Sequence, residues 1–240
     1  ARTKGRAAFF VNIFNGGVHV LQAGEEFGKD KIATQEIMIV TNSKFSSREQ
    51  LEMADRVYQA LAEVLRAAGH DASSFGDEGG YAPKGVGGDE DAIAYVVQAI
   101  HRAGYTPGEH IFLALDVAAT SFVTRTKTLD AADYNYYFQG DWRDAAWMIN
   151  YYIRLKAQYP CLISIEDGLA EDDWEGWRLL QGRLGLQAKL SDAEVQDLSL
   201  VVERKELQDR LLLSGDDLFV TQPPLLQQGI DQGAANGILI

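Results

Sequence analysis

The sequence predicts an α/β fold, and two observations carry that expectation. Short apolar runs alternate with segments of helical periodicity, and three of those runs repeat one side-chain pattern that ends in an acid. The runs are QEIMIV, IFLALD, CLISIED, LLLSGDD and NGILI. Strands alternating with helices pair in parallel through crossover helices, an order met by an open sheet and by a barrel alike.

The helices follow from spacing. Between Ser46 and Gly69, the apolar positions Leu51, Ala54, Val57, Leu61, Val64, Leu65 and Ala68 recur on one face. Ser46 and Glu49 have capping-box spacing, and Gly69 can end the helix. A second helix is expected over Asp89–Arg102. A third is expected from Asp141 to Tyr159, with Trp142, Ala146, Ile149 and Ile153 on one stripe.

Strand parity then sorts side chains by face. Phe112, Ala114 and Asp116 share a side, as do Leu162, Ser164 and Glu166, and Leu212, Ser214 and Asp216. In a barrel these would point inward, while Leu113, Leu115, Ile163, Ile165 and Leu213 would pack against outer helices. The three acids would meet at the carboxyl ends of the strands, where barrel enzymes place their chemistry.

Three carboxylates brought together repel one another unless a cation compensates them. All-oxygen ligation suits Mg²⁺, and no Cys and His cluster has zinc spacing. The pattern alone leaves solvated strand-end acids open as an alternative. Asp167 and Asp217 have the opposite parity and are expected behind the ligands or at the surface.

Other segments are weaker signals. The glycines of SFGDEGGYAP permit tight turns that can aim Asp77 or Glu78 into a site, whereas KGVGGDED reads as a surface loop before a helix. His19, after Asn15-Gly16-Gly17, sits in an expected loop, and the pattern favours an ordinary surface histidine. His70, His101 and His110 lie near helix ends or turns and receive no chemistry.

Composition narrows the function classes. A 46% hydrophobic and 24% charged chain of 240 residues can bury a core. A formal charge of −13 argues against nucleic acid, and no apolar run or signal pattern points to a membrane or to export. The single cysteine, Cys161, lies in an apolar run and is expected buried, which fits a reducing cytoplasm.

Taken in order, NIFNGGVH, QEIMIV, SFGDEGGYAP, LALDVAA, YPCLISIEDGLAEDDWEGW and SGDDLFVTQ resemble the successive signature segments of enolase. The resemblance covers Asn12 to Ile240 and implies one domain over 1–240. That domain would be an incomplete TIM-type barrel of the enolase kind, opening strand-strand-helix-helix and lacking the amino-terminal domain and the last barrel elements.

It further implies that Asp116, Glu166 and Asp216 are magnesium ligands. Glu78 is then the acid that assists departure of the hydroxyl group, working with Glu36, while His19, Gln35 and Glu36 lie in the substrate site. The implied reaction is the Mg²⁺-dependent interconversion of 2-phosphoglycerate and phosphoenolpyruvate in glycolysis. Metal bound to the substrate carboxylate stabilises the charge that develops when the α-proton leaves. The implied partners are this small phosphorylated carboxylate and, for a full-length protein, further copies of itself.

The matching stops at NGILI, before the lysine that removes the α-proton in the family, so the isolated chain is expected to be inactive and marginally stable. The loop between His19 and Gln35 is longer than usual by about eight residues, and Val18 replaces a small polar residue. About twenty extra residues precede Asp216, and SDAEVQDLSLVVERKELQDR is expected as an added surface helix. Two alternatives stay open: a non-catalytic metal- or partner-binding protein derived from the same barrel, and an enolase-superfamily enzyme with another carboxylate substrate.

Overall fold

The computed structural model describes residues 7–17, 32–127, 132–186, 193, 196–199 and 209–240. The chain opens with two strands, β1 (Phe10–Asn15) and β2 (Glu36–Thr41), then two helices, α1 (Ser47–Ala67) and α2 (Asp89–Arg102). After β3 (Ile111–Asp116) come three short strands, β4 (Val123–Lys127), β5 (Ala132–Phe138) and β6 (Asp141–Arg143). Regular alternation follows through α3 (Ala145–Gln158), β7 (Leu162–Glu166), α4 (Trp174–Leu184), β8 (Leu212–Gly215), α5 (Pro223–Gln232) and β9 (Gly237–Ile238).

Six strands form one ladder in the order β1-β2-β3-β7-β8-β9. The first two pairings are antiparallel and the rest parallel. This is the strand-strand-helix-helix opening that the resemblance implied. Among the described residues the ladder does not close, so the architecture is an incomplete barrel. The remaining strands form a separate antiparallel sheet, β4-β5-β6, which the sequence did not announce.

Local chemistry explains the elements. Ser46 and Glu49 form the expected capping box on α1, which buries Met53, Val57, Leu61 and Leu65. Leu51 was placed on that stripe but is 59% exposed, because it lies about 100° around the helix from the neighbouring buried position Gln50. The third helix starts later than expected. Gln139 and Gly140, both at positive φ, make a two-residue hairpin turn that pairs Asp141–Arg143 with β5. Trp142 therefore leaves the helical stripe and lies beside Tyr137, and Asp144 caps α3 by accepting the Trp147 amide hydrogen at 2.7 Å.

The main core lies between the sheet and its helices and contains Leu113, Leu115, Ile165 and Leu213, as parity predicted. A second cluster, Met38, Val40, Phe112 and Ala114, fills the inner face. Burying each of the larger of these side chains contributes about 1.5–3 kcal/mol.

Parity fails at the start of β7. The register slips between Leu113 opposite Leu162 and Ala114 opposite Ser164, so Ile163 is an extra residue in the ladder. Leu162 consequently joins the outer core and Ile163 packs on the inner cluster, the reverse of the expectation.

Most of the helix expected over 191–210 lies outside the described residues. The part described is not a surface excursion: Leu198 packs on the inner cluster, and the Asn42 Nδ2 donates to Asp197 Oδ1 at 2.8 Å. Cys161 is buried, as expected. No helix among the described residues is long and apolar enough to cross a membrane.

Candidate metal centre

Because β2 runs antiparallel to β3, its first residue lies at the end where β3 and β7 finish. Glu36 stands opposite Asp116, and Asp116 opposite Glu166. Neighbouring strands are about 4.8 Å apart, so pairing alone sets three acids side by side on one rung. Asp216 follows β8, two residues beyond the Ser214 that pairs with Glu166.

One carboxylate oxygen from each of Asp116, Glu166 and Asp167 lies within 4.8 Å of the others. Asp216 does not join this close group, whereas Asp167, expected behind the ligands, does. The reason is backbone conformation: β7 ends at Glu166, and Asp167 takes a left-handed φ of 42°, so alternation no longer governs where its side chain points. Gln35, expected at the substrate site, donates from Nε2 to Asp116 Oδ2 at 3.1 Å, and Asp116 Oδ1 accepts the Ala118 amide hydrogen, also at 3.1 Å.

The GDEGG loop brings Glu78 beside Glu36, with a hydrogen bond between the two carboxyl groups. Glu78 Oε2 also accepts from Asn15 Nδ2 at 3.1 Å and from Asn12 Nδ2 at 3.3 Å. Asn15 is 1% exposed, and its Oδ1 takes the Gly80 amide hydrogen. A Cβ at Gly80 would stand 2.5 Å from that oxygen, so this glycine is needed for close approach, while Gly79, at φ 81°, makes the turn. From α1, the Tyr58 hydroxyl donates to Gly79 O at 2.6 Å. His19 lies outside the described residues.

Residues 7–200 match the family model of the enolase C-terminal TIM barrel domain. The chain belongs to this family. Its open ladder is thus an incomplete form of the enolase barrel, and family membership points to a lyase of the enolase superfamily whose acid group can hold a metal ion.

Electrostatics in this enolase barrel fit a cation. Burial, with the negative charges of Glu166, Asp167 and Glu36, pushes the Asp116 carboxyl up to about 9. Burial and the hydrogen bond and charge of Glu78 push Glu36 up to about 8. Asp167 rises to about 7, chiefly by burial, and Glu166 is also raised, by burial and then by Asp216 and Asp217. The crowded carboxyls hold protons for want of positive charge, and among the described residues no His or Cys belongs to the group. An all-oxygen donor set of this kind fits a hard divalent ion such as Mg²⁺.

Two positioning groups gave no sequence signal. Asp89, expected as the first residue of a helix behind a surface loop, is fully buried and accepts the amide hydrogens of Ala33 and Thr34 at 3.1 and 2.8 Å, fixing the approach to Gln35 and Glu36. Asn15 was legible only as part of Asn-Gly-Gly, which reads as a turn.

Proposed function

We propose that this chain carries the acid and metal-binding half of an enolase site, acting on 2-phosphoglycerate and phosphoenolpyruvate with Mg²⁺. The observation that supports this reading best is the adjacency of two carboxyl groupings at one end of the sheet. Asp116, Glu166 and Asp167 crowd together on one side, and the hydrogen-bonded pair Glu36 and Glu78 stands next to them.

Asp116 and Glu166, with Asp216 from the next strand end, are the proposed ligands. Bound there, the ion would neutralise charge that builds on the substrate carboxylate when its α-proton leaves. The pair then has a distinct task. Glu36 is held protonated at neutral pH beside Glu78, and departure of a β-hydroxyl requires a proton, so the pair is the proposed donor. Asn12 and Asn15 donate to Glu78 Oε2, which makes that oxygen an acceptor and holds the Glu78 side chain in place beside Glu36. Removal of the α-proton is not assigned to a residue of this chain.

Titration calorimetry tests the reading. Mg²⁺ should bind the chain, Asp116→Asn should abolish that binding, and 2-phosphoglycerate should bind only when Mg²⁺ is present. Equal binding of 2-phosphoglycerate with and without the ion would count against it.

A further inference from the structure

We infer that Asp167 is a positioning residue that clasps the ends of three strands and so sets where Asp216 stands relative to Asp116 and Glu166. This deepens the metal-centre reading and rests on it.

Asp167, which itself follows β7, is 3% exposed, and its polar groups reach the ends of two further strands, β3 and β8. Its amide donates to Ser214 O on β8 at 3.1 Å, and its carbonyl accepts from Ala119 N, just past β3, at 3.0 Å. Its carboxylate accepts both amide hydrogens that follow β8: Asp217 N lies 2.8 Å from Oδ2, and Asp216 N lies 3.2 Å from either oxygen. The side chain is thus already engaged by two N–H donors. A carboxylate so placed fixes its neighbour's backbone and has less freedom to turn toward an ion.

The backbone of Asp167 supports the same conclusion. A non-glycine residue at φ 42° persists only where its surroundings determine it, and these four connections do so. Ala118, at φ 45°, makes the matching turn two residues after Asp116. Both left-handed residues therefore stand one or two positions beyond a proposed ligand, at the points where strands hand over to the loops of the site.

Nearness alone would make Asp167 a ligand, and the two roles separate by substitution. An asparagine whose Oδ1 takes the place of Oδ2 still accepts both amide hydrogens, yet it is a poor ligand for a hard cation. Alanine removes the clasp altogether.

The test is Mn²⁺ binding to the 240-residue chain, followed by electron paramagnetic resonance of the free ion. The wild type is compared with Asp167→Ala, Asp167→Asn and Asp116→Asn, with circular dichroism in EDTA as the check on folding. Asp167→Ala should bind Mn²⁺ about tenfold to a hundredfold more weakly, and Asp167→Asn should recover most of that loss. Asp167→Asn binding as poorly as Asp116→Asn would make Asp167 a ligand and overturn the inference, even if the alanine variant does not fold. Wild-type affinity in a folded Asp167→Ala would overturn it as well. Failure of the underlying reading has a separate signature: the wild type would bind no Mn²⁺, or would bind it no better than Asp116→Asn, and the inference would fall with it.

Discussion

The Asn15 amide donates from Nδ2 to Glu78 Oε2 across 3.1 Å, while its Oδ1 holds the Gly80 amide hydrogen at 2.8 Å. The second contact fixes the orientation of the first. Asn15→Ala would leave the buried Gly80 N–H unpaired, and a loss of about 1–3 kcal/mol is expected in urea unfolding. Asn15→Asp keeps the shape but sets a second carboxylate against Glu78, so its loss should grow between pH 5 and pH 8. An equal loss at both values would contradict this account.

The acid group makes a prediction about pH. Asp116, Glu36 and Asp167 have folded values of about 9, 8 and 7, against ordinary values of 3.8, 4.5 and 3.8. The folded state therefore holds more protons than the unfolded one between these limits, and their contribution to stability falls as pH rises through the window. Without metal, unfolding by urea should become easier from about pH 4 to about pH 9. Millimolar Mg²⁺ should restore the loss, and Asp116→Asn should flatten the slope. A metal-free stability that rises over this range in step with that of Asp116→Asn would argue against the proposed crowding.

Asp89 offers a test away from the acids. It is fully buried, and its carboxylate carries the Ala33 and Thr34 amides and a 3.3 Å contact from Gln139 Nε2. Asp89→Ala should cost about 2–4 kcal/mol, because two buried N–H groups lose charge-assisted partners. Thermal unfolding that matches the wild type would show these bonds to be dispensable.

What the sequence could reveal follows from what each feature depends on. Alternation along β3 needs only a straight strand, so the inward course of Phe112, Ala114 and Asp116 was legible. The same rule misplaced Leu162 and Ile163, because the bulge depends on a register with β3 that no residue of β7 announces. Asp167 escaped for a related reason: one left-handed residue cancels parity. Asn15 looks like a turn residue and Asp89 like the first residue of a helix behind a surface loop, and only their burial against distant segments makes them structural. The motifs of the resemblance located Glu36 and Glu78, which periodicity alone could not pair.

Lys156 supplies a prediction at alkaline pH. It is 3% exposed, and its Nζ donates to Pro160 O at 2.9 Å and Leu162 O at 2.8 Å, tying α3 to β7. Burial lowers the ammonium from 10.5 to about 8. Its contribution is fully present above about 10.5 and is lost as pH falls through about 8. The stability difference between wild type and Lys156→Met should therefore shift toward the wild type as pH rises from 8 to 10.5. A difference independent of pH would show that the amine ionises as it does in water.

The contact between Asn42 and Asp197 joins positions 155 residues apart and brings Leu198 onto Met38, Val40, Phe112 and Ala114. Contacts of such long sequence separation form late, since the loop between them must close before they are rewarded. As the chain leaves the ribosome, β2 and β3 can pair long before Ile163 and Leu198 are there to cover their inner face. That apolar surface stays partly wet until residues near 198 are made. Over this interval the nascent chain is most open to chaperone capture and to aggregation.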